Sequence, residues 1–571
     1  MYCQLDYLSK CLPGRIRQAL EELPETLDGT YERTLQEIND GNWEFARRLL
    51  LCVAVVSRPL RVEELAEFLA FDFKAGPIPK FREDWRLDDP LEAVLSTCST
   101  LLSLVNVDDA PVIQFSHFSV KEFLTSSRFA EKSDAISHRY HISMTLAHTL
   151  VTQACLGILL YLDKNTTKDS LRKFPLAEYA AGHWFEHARF EGVSENADEG
   201  MIQLFDQRKQ HLAIWLWIHD PTVASWDRYI RDEGPSPPRG TPLHYAAFCG
   251  LHGVVKLLTI EHLQDVDCRS FTNKATPLLL ASERGHVEVV RILVEHGANA
   301  AAQGNDGWTP LHRASKGGHL DLARFLVEHG GDPAAQDNDG WTPLHRASEG
   351  GHLDLARILV EHGADPAAQD DDGWTPLHWA SEEGHLDLAR FLVEHGADLA
   401  AQDNHGWTPL RRAFEGGHLN VARFLVEHGA DPAAQDNDGW TPLQGATEGR
   451  DLDLARILVE RGVDLAARDN SGWTPLHQAS KGGHLNLARC LIEHGADLAA
   501  QDNSGWTPLH RASKGGHLNL ARFLIEHGAD LAAQDNSGWT PLRRASEEGY
   551  LDLVQILIEH GADPPARDSD G

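Results

Sequence analysis

The sequence lacks the motifs on which covalent chemistry is usually built. It holds no G-x-x-x-x-G-K-[ST] phosphate loop, no G-x-S-x-G nucleophile turn and no H-E-x-x-H metal pair. NTPase, serine-hydrolase and metalloprotease chemistry therefore have no anchor within these 571 residues. The eight cysteines (3, 11, 52, 98, 155, 249, 268 and 490) are scattered and form no C-x-x-C. That usage suits reduced thiols in the cytosol or nucleus better than a disulfide framework. Long apolar runs are missing as well: Leu49–Val56 and Leu150–Leu162 are too short, or too interrupted, to cross a bilayer. The N-terminus has no basic-then-apolar signal design. Positive charge is scarce. Lys and Arg total 52 against 85 Asp and Glu, a net charge of −33; residues 240–571 hold 26 against 49, or −23 of it. Such an acidic surface repels phosphate backbones and anionic lipid, so neither nucleic acid nor membrane is an expected partner.

What the sequence does have is repetition. Thr-Pro falls at 241, 276, 309, 342, 375, 408, 441, 474, 507 and 540, and after the first step of 35 every interval is 33. A 33-residue period carrying T-P-L-H-x-A is the signature of the ankyrin repeat, and residues 241–571 resemble an array of about ten copies. The copy at 337–369 shows how one unit should fold. Asp337-Asn338-Asp339-Gly340 is turn chemistry for a β-hairpin finger, with Gly340 free to take a positive φ. Thr342 and Pro343 form a helix-start pair, a capping hydroxyl followed by proline at the first helical position. The first helix should end at Gly350-Gly351; the second runs from about Leu353 to Glu361, with Leu355, Ile358 and Leu359 as its buried face. One copy cannot bury that face alone, so stability comes from neighbours in a one-dimensional stack. At roughly 10 Å per layer, ten copies would extend about 100 Å. That shape offers no deep pocket, so no small-molecule substrate and no cofactor is expected. The histidines that close T-P-L-H (312, 345, 378, 477 and 510) or follow the glycines (319, 352, 385, 418, 484 and 517) are spread evenly along the stack. Even spreading predicts hydrogen bonding between turns, not a metal site.

Upstream, Arg15–Ile38, Trp43–Val56, Val62–Phe71 and residues 91–105 read as helices, and Asn106–Phe115 as a β-hairpin turning at Asp108–Pro111. Helices followed by a small hairpin predict a winged helix over 1–135. Residues 136–230 read as further helices (His138–Leu162, Leu171–Arg189, Met201–His219), with Trp215 and Trp217 as core. Residues 231–240, RDEGPSPPRG, read as a linker. The segments LPETLDGTYERTLQEI, SRPLRVEELAEFLAFD, CSTLLSLV, IQFSHFSVKEFL and PLAEYAAGHWFEHARF resemble the region after the nucleotide-binding domain of fungal NACHT proteins, NOD-like receptors of the STAND class. The resemblance covers roughly residues 1–220 and implies a regulatory domain placed between an NTPase and a sensing array. The NTPase itself is absent, so the chain reads as either a truncated product or an adaptor without its motor. A STAND ATPase switch with its P-loop upstream and a general ankyrin scaffold are the alternatives. The winged helix is not expected to bind DNA, since no Lys or Arg lies between Arg86 and Lys121.

Comparing the copies separates frame from variation. The second residue after the T-P-L leucine reads Arg313, Arg346, Trp379, Arg412, Gly445, Gln478, Arg511 and Arg544. The finger tip reads Asp306, Asp339, Asp372, His405, Asp438, Ser471, Ser504 and Ser537; the position after the first helix reads Lys316, Glu349, Glu382, Glu415, Glu448, Lys481, Lys514 and Glu547. In ankyrin proteins these elements form a concave recognition surface, which by resemblance would take a protein partner. Beside them runs a constant, Trp308, Trp341, Trp374, Trp407, Trp440, Trp473, Trp506 and Trp539. Tryptophan is enriched at binding hot spots; each ring could equally pack on a neighbouring finger and stiffen the stack, and both readings stay open. Together with Arg313, Arg346, Trp379, Arg412, Gln478, Arg511 and Arg544, these tryptophans are the candidate partner-binding residues. The copy at 441–468 deviates: Gln444 replaces the histidine and Arg450-Asp451 replaces Gly-His, which marks it as the weak joint. The last copy keeps an ordinary internal pattern at Leu553, Ile556 and Leu557, so it should fray or be covered by another chain.

Overall fold

The computed structural model describes residues 26–98, 100–107, 110–132, 134–223, 234–261, 266–270 and 273–563. They form two compact units that divide after Asn305.

In the N-terminal unit Thr26 opens the first described helix, Leu27–Gln36, by accepting the Gly29 N–H at 3.1 Å; residues 15–25 of the expected helix lie outside the described residues. Helix Trp43–Val55 follows and buries Leu49, Leu50 and Leu51, and Val62–Glu67 continues into a 3-10 turn at Phe68–Ala70. The expected helix over 91–105 is corrected. It is a helix at Pro90–Cys98, but Leu102–Val107 is a strand paired antiparallel with Ala110–Phe115. Leu101-Leu102-Ser103-Leu104-Val105 is a short apolar run without period, which length and composition cannot assign to helix or strand. The short strand Leu60–Arg61 pairs on the other side of Ala110–Phe115, with Leu60 opposite Ile113. The result is the helices-plus-hairpin fold of a winged helix. Glu64, fully buried, holds its base through Arg58 at 2.7 Å and Arg61 at 3.0 Å.

The following helices break where the sequence read them as continuous: Ala135–Tyr140 and Met144–Tyr161, Lys168–Leu171 and Leu176–Ala188, Ser194–Phe205 and His211–Ile218. Met144–Tyr161 is apolar enough to cross a membrane by composition, yet ten of its residues are buried within the fold, where it packs on Trp43–Val55 and Leu176–Ala188. Trp184, Trp215 and Phe205 form an aromatic core in which Trp215 meets both others edge-on, and the Trp215 indole N–H donates to the Ala181 carbonyl at 2.8 Å. The first two repeats belong to this unit: their second helices are His252–Glu261 and Val287–Glu295, and the former packs on Ser194–Phe205.

The C-terminal unit holds the remaining eight copies, each a pair such as Pro343–Glu349 and Leu353–Glu361. Buried histidines tie one copy to the next. His345 Nδ1 accepts the Thr342 N–H at 3.1 Å, which leaves the proton on Nε2, and Nε2 donates to the Trp374 carbonyl at 3.0 Å. The same bridge runs from His312 to Trp341, His378 to Trp407, His477 to Trp506 and His510 to Trp539. Gln444 reproduces it: Oε1 accepts the Thr441 N–H and Nε2 donates to the Trp473 carbonyl, both at 2.8 Å. The second histidine set donates backwards where it is bonded, His385 to the Glu349 carbonyl at 3.2 Å and His517 to that of Lys481 at 2.8 Å. The imidazoles of His352, His385, His418 and His517 rest on the left-handed second glycine of the preceding copy; a Cβ on Gly351 would meet the His385 ring at 2.6 Å. Arg450 occupies that glycine position with φ +63°, a left-handed conformation that costs a non-glycine residue about 1–2 kcal/mol. Asp451 offsets part of this by capping the next helix, accepting the Leu454 N–H at 3.1 Å. We predict that Arg450→Gly raises the unfolding free energy by about 1 kcal/mol. Native-state hydrogen exchange should be fastest near 444–452; uniform protection along the array would contradict a weak joint there.

Candidate functional site

The fingers are closed by their own aspartates. Asp337 N–H donates to the Trp341 carbonyl at 2.9 Å, and the Asp337 carboxylate accepts the N–H groups of Asp339 and Trp341 at 3.0 and 2.9 Å. This closes a tight turn with φ +79° at Gly340; no β-strand forms among the described residues of the fingers. One backbone bond links each finger to the one before, as from Asp371 N–H to the Asp339 carbonyl at 3.1 Å. Asparagine side chains repeat that step, Asn404 onto Asp371, Asn437 onto Asn404, Asn470 onto Asn437, Asn503 onto Asn470 and Asn536 onto Asn503.

The finger carboxylate also orders an arginine from the first helix nine residues on. Asp337 binds Arg346 at 3.0 Å, Asp403 binds Arg412 at 2.5 Å, Asp535 binds Arg544 at 2.6 Å, and Asp502 binds Arg511. In the copy at 304–336 Gly304 stands where the others have this aspartate, and Asp306 binds Arg313 instead at 2.6 Å. In four copies the paired guanidinium then lies between two indoles. Arg346 is 4.3 Å from the Trp308 ring centre and 3.7 Å from that of Trp341; Arg412 is 3.6 Å from Trp374 and 4.4 Å from Trp407. Arg511 sits between Trp473 and Trp506 at 3.9 and 4.4 Å, and Arg544 between Trp506 and Trp539 at 4.4 and 4.2 Å. Trp379 takes the arginine's place between Trp341 and Trp374, at 4.4 and 4.3 Å. Gln478, buried, stands at the same sequence position in the copy of Trp473. The candidate residues thus come together as a ladder in which own-chain side chains alternate with the constant tryptophans. Trp308 and Trp506 are buried and the other six are half-buried.

The ladder breaks once. Gly445 has no side chain to place between Trp407 and Trp440, and Trp440 has no aromatic or cationic partner among the described residues. Arg411, which stands where other copies have the bridging histidine, leans in instead, 4.6 Å from the Trp407 ring centre. It gives no bond to the Trp440 carbonyl, so this joint lacks bridge and rung together.

Charge in the ladder is largely cancelled within it. Burial pushes the Asp535 carboxyl up, but the Trp539 N–H, Arg544 and the Ser537 N–H outweigh this and hold it below the usual range. Asp370 faces Trp379 in place of an arginine, and burial lifts its carboxyl above the usual range. What protrudes is the varying set: Lys316, Glu415, Glu448, Lys481, Lys514 and Glu547 are exposed, and Glu349 and Glu382 half-exposed. Among the described residues no three His, Cys, Asp or Glu side chains converge to hold a metal.

The known proteins it resembles fit this geometry. The family model for ankyrin repeats matches overlapping stretches from 227–303 to 498–568, and the model for the winged helix domain of GPI inositol-deacylase matches 31–136. Azaphilone pigments biosynthesis cluster protein L of Monascus ruber is 28% identical over 295 residues, 49% of this chain and 61% of that protein. Alpha-latrocrustotoxin-Lt1a of Latrodectus tredecimguttatus is 37% identical over 65 residues, 11% of this chain and 4% of the toxin. The chain therefore spans less than two thirds of either relative. With the repeat matched over more than half its length, and the same finger, bridge and helix pair in copy after copy, the chain belongs to the ankyrin-repeat family.

Proposed function

We propose that the array is a non-enzymatic recognition surface for a protein partner. The partner lies along the finger tips and the ends of the first helices, the concave side in ankyrin arrays. One observation carries this: the copies differ at exposed positions on those two elements, over a frame and a column of tryptophans that barely change. The ladder then serves as a stiff floor. Its tryptophans and arginines present edges to a partner while their faces are taken by one another, and the rim residues supply selectivity. The rim is acidic from Glu349 to Glu448 and basic at Lys316, Lys481 and Lys514, so a partner of complementary charge pattern is favoured. The winged helix and following helices would relay binding to a NACHT-type NTPase carried on another polypeptide or encoded upstream. In this reading the chain works in the cytosol or nucleus, which buried free thiols at Cys52, Cys155 and Cys249 suit.

The test is a quantitative pull-down from the source cells with the full chain against two variants. Asp339→Lys with Asp372→Lys reverses the charge of two exposed finger tips, where other copies carry His405 or Ser471, and leaves every ladder stack in place; it should remove specific partners without a change in unfolding midpoint. Arg313, Trp379 and Arg412 changed to alanine should remove the same partners together with stability. Identical partner sets for all three proteins would refute the surface.

A further inference from the structure

The strand Leu102–Val107 lies at the edge of its sheet, in the order Leu60–Arg61, Ala110–Phe115, Leu102–Val107. The Ser116 N–H donates to the Leu101 carbonyl at 2.9 Å, and with Leu104 opposite Ile113 this fixes which backbone groups face inward. Residues 103, 105 and 107 turn theirs to Ala110–Phe115; Leu102, Leu104 and Asn106 turn theirs outward. Among the described residues nothing bonds to that outward row. The side chains beside it are apolar and uncovered: Leu104 is 42% exposed, Val105 36% and Val107 46%. Natural edges are blunted by lysine, proline, a bulge or a covering element. Leu102–Val107 contains no lysine or proline, and its register runs one to one without a bulge. A row of free donors and acceptors between exposed apolar side chains is recognised by one kind of occupant, another strand.

Charge selects among strands. No Lys or Arg lies between Arg86 and Lys121, while Asp88, Asp89, Glu92, Asp108 and Asp109 do. A second copy would bring the same cation-free stretch against itself. We propose that Leu102–Val107 is a docking edge for an extended segment of a partner protein, one with alternating apolar residues and lysine or arginine at its ends, added as a fourth strand. This surface is separate from the repeats.

The probe is a fluorescein-labelled, end-blocked heptapeptide alternating valine and threonine with a lysine at each end, titrated into the full chain by anisotropy. Binding is expected, with slowed amide exchange at Leu104 and Asn106. Leu104→Pro removes an outward N–H yet spares the bonds to Ala110–Phe115, and should weaken binding about tenfold. Val107→Lys, which keeps every backbone bond, should weaken it as well, and so should a probe ending in glutamate. Undiminished binding to both variants, protection elsewhere, or no binding at millimolar probe would overturn the proposal. A dimer in sedimentation velocity that Leu104→Pro abolishes would also overturn it, by making a second copy the occupant.

Discussion

Lowering the pH from 7 to 5 is expected to destabilise the array steeply, well before its carboxylates titrate. The bridging histidines are the reason. Burial drives His345 and His378 from the ordinary 6.5 to about 4, and moves His312, His477 and His510 in the same direction. A group whose folded pKa is depressed below its unfolded value, and which is neutral when folded, binds protons preferentially in the unfolded chain at intermediate pH. Stability is therefore complete above pH 6.5 and falls as pH drops toward 4. For His345 and His378 the loss at pH 5 is about 2 kcal/mol each, and the other three add to it. Protonation also forces a hydrogen onto Nδ1, opposite the Thr342 N–H in the case of His345, so the bridge cannot simply persist. The raised carboxyls of Asp370 and Glu382 act the other way, but they are two against the five bridging histidines and His484, which burial lowers as well. Gln444 supplies the control, because glutamine makes both bonds without a titrating group. Urea unfolding followed by tryptophan fluorescence should show a large drop from pH 7 to 5 in the parent chain. His345→Gln with His378→Gln should keep most of the stability at pH 7 and reduce the drop by about 4 kcal/mol. An unchanged drop would mean that the bridges are not where the protons go.

The repeat frame was largely legible in the sequence because its signals are local. Thr342 before Pro343, paired glycines and leucines at helix spacing each act within one turn, and the helix Leu353–Glu361 falls on the expected residues. The arginines were not legible as rungs. Read alone, Arg346 or Arg412 is a cation on an exposed helix; only in three dimensions does the aspartate nine residues earlier meet it and the preceding copy's tryptophan cover its other face. A signal was present all the same. Aspartate and arginine keep that spacing in the copies of Arg346, Arg412, Arg511 and Arg544, and where Gly304 replaces the first aspartate, Asp306 stands ready. The strand Leu102–Val107 was misread for a different reason. Its alternation is hidden, since the strand outruns the core and leaves apolar side chains exposed on both faces.

The ladder also assigns a consequence to its one gap. Two departures from the repeat pattern, Arg411 for histidine and Gly445 for arginine, sit in successive copies and share one space. A Cβ on Gly445 would collide with the Arg411 guanidinium, which is buried and held by Glu415 at 3.6 Å. Gly445→Arg alone should therefore destabilise the chain by about 2 kcal/mol, the usual scale of overpacking, here sharpened by two guanidinium groups in one slot. Arg411→His alone opens that slot but restores an imidazole beside the Trp440 carbonyl, and should change stability little. Made together, the two substitutions rebuild what the neighbouring joints have: a guanidinium between Trp407 and Trp440, its charge facing Asp436, and a histidine bridge across the same junction. The double variant should exceed the parent by about 1 kcal/mol, so the coupling energy across the cycle is about 3 kcal/mol. Urea unfolding of the four proteins at pH 7 measures it, and additive single effects would show that the two positions are independent. If the coupling holds, the amides near 444–452 should also lose their fast exchange in the double variant, because bridge and rung at that junction are then both in place.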